Sequence, residues 1–77
     1  MTDPSERARR LADWQARLDG LVASDQLDAW HAELRAEVDR LKACGLLEPQ
    51  DAHDLRELAD AAYSHRVEDA LTRQLNQ

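Results

Sequence analysis

Apolar residues recur along this chain at alternating steps of three and four, the mark of helices that bury one face. Leu11, Trp14, Leu18, Leu21 and Val22 form a first stripe, and Leu27, Trp30, Leu34, Val38 and Leu41 a second. Both have the a/d spacing that packs one helix against another. Each stripe has its own start signal. Asp3 is the expected N-cap of the first helix, Pro4 sits at the first helical position, where a missing N–H costs nothing, and Glu6 completes a capping box. Ser24 or Asp25 is the expected N-cap of the second helix. With Gly20 weakening the last turn of the first, the helices are predicted over about residues 4–22 and 26–43. So short a connection, Ala23-Ser24-Asp25, makes them antiparallel. Gly45 is placed as the left-handed residue ending the second helix, with Leu46 or Leu47 folding back onto that end.

Pro49 opens a third helix, predicted over about residues 49–75 and roughly 40 Å long. Its pattern is not a single stripe. Leu55, Leu58, Ala59 and Ala62 define one face. Tyr63, Val67, Leu71 and Leu75 then follow at four-residue steps and drift, until Leu75 points nearly opposite to Leu55 and Leu58. A lone three-helix bundle has no use for apolar residues there. Either the helix bends near Ser64, or its last turns pack on something outside the bundle. The expected architecture is all-α: one domain over residues 1–77, a small three-helix bundle in which an antiparallel hairpin of two helices carries a long third one. The ends, Met1-Thr2 and Asn76-Gln77, are expected to be loose.

Composition narrows the setting. A chain of 77 residues buries only about 60% of its unfolded surface, so association with another chain is a common source of added stability. A homodimer joined partly through the C-terminal half of the third helix is therefore expected. Cys44 is the only cysteine, which rules out an intrachain disulfide. Together with the lack of a secretion signal it points to the reducing cytoplasm. No apolar run is long enough to cross a membrane. The formal net charge is −6, so binding to nucleic acid or to an anionic membrane through the bulk field is not expected. The nine arginines against one lysine suit a GC-rich bacterial or phage genome.

Candidate chemistry is sparse. His53 with Glu57, and His65 with Glu68 or Asp69, are helical neighbours, but neither H-E-x-x-H nor any cysteine–histidine spacing occurs. The histidines read as solvated surface residues, with His65 half covered by Tyr63 and Arg66. Cys44 falls at a helix C-terminus, where the dipole disfavours a thiolate, and reads as a semi-buried packing residue. Asp51, Asp54, Glu57 and Asp60 recur every three residues, which spirals around the helix and focuses on no cleft. No pocket is expected inside so small a bundle. The chain is thus expected to be no enzyme, with no catalytic residue, metal or cofactor. Trp14 and Trp30 occupy equivalent seam positions and read as core anchors, the alternative for either being an exposed hot spot. Arg7, Arg9 and Arg10 form a basic cluster that reads as a solvated face, or as a contact for the acidic start of the third helix in another copy.

The stretch Ala61-Ala62-Tyr63-Ser64-His65-Arg66-Val67-Glu68-Asp69 resembles the last-helix segment of the Hha family, small helical co-regulators of bacterial nucleoid proteins. The likeness rests mainly on His65-Arg66-Val67. The middle helix here is longer and the chain strongly acidic, so no residue role is carried over.

The leading functional expectation is a small cytoplasmic regulator or inhibitor that binds another protein through helical apolar surface, in helix-in-groove fashion. Trp30, Tyr63, Val67, Leu71 and Leu75 are its expected contact residues. The alternative is an acidic, nucleic-acid-mimicking inhibitor, phage anti-defence or antitoxin-like, presenting Asp51, Asp54, Glu57 and Asp60 to the basic surface of a nucleic-acid-binding protein.

Overall fold

Three α-helices and one short 3-10 turn follow one another in the computed structural model, which describes residues 4–75: α1 (Pro4–Asp19), the turn Ser24–Gln26, α2 (Leu27–Ala43) and α3 (Pro49–Leu75). The expected cap Asp3 and the expected loose ends lie outside the described residues. The all-α, three-helix architecture is the expected one, with two local differences.

The first is the end of α1. It stops at Asp19, not near Val22. The Gly20 N–H reaches back to the Arg17 carbonyl at 3.3 Å and the chain then leaves the helix. Leu21, assigned to the first stripe, is fully exposed at 104%, and Val22 is only half-buried. A glycine that gains little from helix, set against the room an antiparallel return needs, explains the early stop. The second is the start of α2. Ser24, Asp25 and Gln26 form the 3-10 turn, closed by Gln26 N–H donating to the Ala23 carbonyl at 2.9 Å. Neither Ser24 nor Asp25 caps α2; Gln26 holds the N-cap position without a side-chain bond.

The other boundaries fall where local chemistry puts them. Gly45 has φ +81°, its N–H donates to the Lys42 carbonyl at 3.0 Å, and Leu46 N–H donates to the Leu41 carbonyl at 3.0 Å. This is a Schellman ending, and it turns both Leu46 and Leu47 into the core. At the start of α3, Asp51 Oδ2 accepts the Glu48 N–H at 3.3 Å, satisfying a donor that the first turn leaves over.

The core gathers Trp14 and Leu18 from α1, Leu34, Val38 and Leu41 from α2, Leu46 and Leu47 from the connection, and Ala52 and Ala59 from α3. Helix α2 packs against both others and lies closest to α3. The reason is side-chain size: Ala52 and Ala59, fully buried, let two backbones approach, whereas Trp14 holds α1 further off. Cross-links give the directions. Arg10 meets Glu37 and Trp14 meets Leu34, so α1 and α2 are antiparallel; His31 meets Asp60 and Arg56 meets Asp39, so α2 and α3 are too.

Helix α3 runs unbroken through Ser64. Its buried face is Ala52, Leu55, Ala59 and Ala62; Leu58, expected on that face, is 48% exposed because it sits at the edge of the stripe. After Ala62 the core-facing position passes to Arg66, and the leucines turn away from the bundle: Leu71 is 55% exposed and Leu75 84%. The last turns therefore overhang. Among the described residues no helix is long and apolar enough to cross a membrane.

Candidate interaction surface

The expected contact residues do not form one surface. They fall in three places. Trp30 belongs to the end where α1 meets α2. Its Nε1 donates to the Arg17 carbonyl at 2.9 Å, one of the carbonyls left over when α1 stops at Asp19. The Arg66 guanidinium lies 4.6 Å from the ring centroid and also donates to the Leu18 carbonyl at 3.0 Å, so one arginine of α3 pins the ends of both other helices. Trp14, its sequence equivalent, is fully buried with Nε1 bonded to the Leu34 carbonyl at 3.0 Å. Of the two tryptophans, then, Trp14 is the core anchor, while Trp30 is only partly buried.

Tyr63 is the second place. It lies in the seam between α2 and α3, stacked on His31 with centroids 4.5 Å apart, and its hydroxyl donates to Asp28 Oδ1. That bond and loss of water push the phenol up from its ordinary value. His31 is no solvated surface residue: its Nε2 lies 2.6 Å from Asp60 Oδ1, and Arg35 Nη1 donates to both Asp60 oxygens at 2.7 and 2.8 Å. Asp28, His31 and Arg35 lie on one face of α2 and meet Asp60 and Tyr63 across the seam. This is a structural ladder, with its groups turned to one another. His65, by contrast, is exposed.

Val67, Leu71 and Leu75 are the third place, on the outer side of the α3 overhang. Val67 is half-buried and the two leucines are open.

The structure adds residues that the sequence reading missed. Arg17, Gly20, Leu21 and Val22 on one side and Gln26, Ala29, Trp30, Glu33 and Leu34 on the other line an open, mainly apolar cleft of about 550 Å³ between the end of α1 and α2. A second, more polar cleft of about 480 Å³ separates the Leu21–Leu27 stretch from Arg66, Asp69, Ala70 and Arg73 on α3. Gly20 was the available signal. A glycine just before two apolar residues marks the point where a stripe leaves its helix.

The four carboxylates of the alternative reading are engaged within the chain. Asp51 accepts the Glu48 N–H and lies 3.7 Å from Arg7; Asp54 accepts from Gln50 at 3.0 Å; Glu57 pairs with His53 at 2.9 Å; Asp60 is held by Arg35 and His31. Arg35, then His31, keep the Asp60 carboxyl below the usual carboxylate range. The basic cluster is likewise only partly a solvated face. Arg7 Nε donates to the Leu46 carbonyl at 3.0 Å and Arg10 to Glu37 at 2.9 Å, so the acidic start of α3 that Arg7 meets is its own. Cys44 is exposed, not semi-buried, because it occupies the C-cap of α2 outside the stripe. Among the described residues no three histidine, cysteine or acidic side chains gather into a metal-binding group.

No protein-family model, no curated protein and no solved structure matches this chain, so the likeness of residues 61–69 to the Hha family stays a local one.

Proposed function

We propose that this chain is a non-enzymatic binding module, a small cytoplasmic regulator or inhibitor that acts by covering a surface of another protein. One observation carries the reading: the large apolar side chains left open gather mainly at one end of the bundle, where Leu21 and the Trp30 cleft adjoin the overhang bearing Leu71 and Leu75. Side chains of this kind on a marginal small domain are kept for contact, since scattered polar residues would serve solubility better. The contact is helix-in-groove in kind, with Trp30 as its aromatic anchor. The acidic reading is the weaker of the two because its carboxylates are already satisfied within the chain.

The test compares immobilised wild type with a Leu21→Asp/Leu71→Asp variant as baits in lysate, washed first at low and then at high salt. Both substitutions are at exposed positions, and circular dichroism checks that the helices persist. A protein retained by wild type at high salt and lost by the variant is the expected result. The same retained set on both baits would sink the reading. A basic nucleic-acid-binding protein held by both and released by salt would transfer the function to the acidic residues.

A further inference from the structure

The Trp30 cleft and the α3 overhang lie at the same end of the molecule, and each has what the other lacks. The cleft is a mainly apolar recess with Arg17 on its α1 wall and Glu33 on its α2 wall; Glu33 lies 3.8 Å from Arg40 of its own helix, whereas Arg17 has no ion pair among the described residues. The overhang is an apolar ridge of Val67, Leu71 and Leu75, with Glu68 about 60° around the helix from Leu71. The Glu68 carboxylate also has no partner among the described residues. Leu71 and Leu75 line neither cleft of their own molecule, so the ridge does not fill the recess beside it.

We infer that two copies of this chain pair reciprocally: each seats its Leu71–Leu75 ridge in the Trp30 cleft of the other. Two arguments select a second copy as the occupant. The first is charge. A partner suited to this cleft carries an apolar helical ridge with an acid on the α1 side, where Arg17 stands unpaired, and not on the α2 side with Glu33; the ridge with Glu68 along one flank is such a segment. Seating it brings Glu68 of one copy to Arg17 of the other, in a molecule whose net charge of −6 would otherwise resist self-association. The second is area. Specific interfaces bury about 800 Å² on each partner, and a ridge of three apolar side chains falls well short of that. Reciprocal seating uses ridge and cleft on both copies at once. It doubles the contact, forms the ion pair twice and closes under a two-fold axis, where one-way docking would run on as a filament.

This goes beyond the binding of another protein proposed above. The same end of the molecule would serve both, so self-pairing and capture of that protein exclude each other, and the free monomer is the binding form. The two readings fail separately: the capture experiment judges one, and molar mass judges the other.

Molar mass is read by sedimentation equilibrium over a dilution series for wild type, Arg17→Glu, Glu68→Arg and the double exchange. Both positions are exposed, and helicity is checked for each variant. Wild type is expected to move from 8.8 kDa to twice that mass as concentration rises. Each single charge reversal should raise the midpoint concentration by about tenfold, and the double exchange should bring it back near wild type. Leu71→Asp should leave a monomer throughout. A wild type that is monomeric at every concentration overturns the inference. So does a dimer indifferent to the single reversals, or one that the double exchange fails to recover.

Discussion

Two tryptophans at matching seam positions have opposite fates, and the difference is one of coverage. Trp14 faces α2 in mid-helix, bonds the Leu34 carbonyl and is fully enclosed in the core. Trp30 faces α1 where α1 has just ended, so the Arg17 carbonyl and Arg66 cover part of it and the rest lines a cleft. Truncating a buried tryptophan costs about 3–5 kcal/mol, a large share of the roughly 5–15 kcal/mol that holds a small domain together. Trp14→Ala is therefore expected to leave little folded protein, whereas Trp30→Ala should remain folded and lower the urea midpoint much less. Equal losses in the two denaturation curves would contradict the assignment of one to the core and the other to the surface. The period of the apolar residues places both tryptophans on seams. It does not reveal coverage, which depends on where the neighbouring helix stops.

At the scale of the elements, boundaries set by a residue's own backbone were legible and boundaries set by competition were not. Gly45 ends α2 because φ +81° suits glycine best, and Pro49 opens α3 because proline fits a first turn. A Cβ added at Gly45 meets nothing within 4 Å, so Gly45→Ala carries only the backbone cost of the left-handed conformation, about 1–2 kcal/mol. The midpoint of urea unfolding should fall accordingly, and Gly45→Asn should lose less. No loss in the alanine variant would mean that the Schellman turn does not hold Leu46 and Leu47 in place. The start of α2 is not fixed by its residues, because Ser24 and Asp25 suit an N-cap and a 3-10 turn about equally; the chain takes the turn, closed by the Gln26 N–H on the Ala23 carbonyl. The ladder of Asp28, His31, Arg35, Asp60 and Tyr63 was invisible for another reason: its register depends on how two helices, separated by the Gly45 turn, slide against each other.

For the whole molecule, the long-range ties include arginine–carboxylate pairs between all three helices, and these give stability a pH dependence. Arg10, then Arg40, hold the Glu37 carboxyl low, as Arg35 and His31 hold Asp60. A carboxyl whose folded pKa lies below its unfolded value stabilises fully above that unfolded value, near 4, and the gain is lost as pH falls through the folded value. The melting temperature should thus be nearly level between about pH 7 and 5 and drop below about pH 4. Asp60→Asn should melt lower at neutral pH and fall less steeply in acid; half-exposed Asp60 is screened, so the change is modest, under about 1 kcal/mol. A variant with an unchanged acid limb would remove Asp60 from this account. The drift of apolar positions along α3 was legible as a departure from a closed bundle, and the unbroken helix resolves it as an overhang, since nothing in α1 or α2 extends far enough to cover Leu75. That overhang shapes the molecule. It measures 53 × 19 × 15 Å, with a radius of gyration of 14.3 Å against about 11.5 Å for a compact chain of this length. A rod of that kind tumbles slowly and feels more drag than a sphere of equal mass. On a sizing column the lone chain elutes ahead of its weight, in the place of a round protein well above 8.8 kDa, and only a method that weighs the particle tells one copy from two.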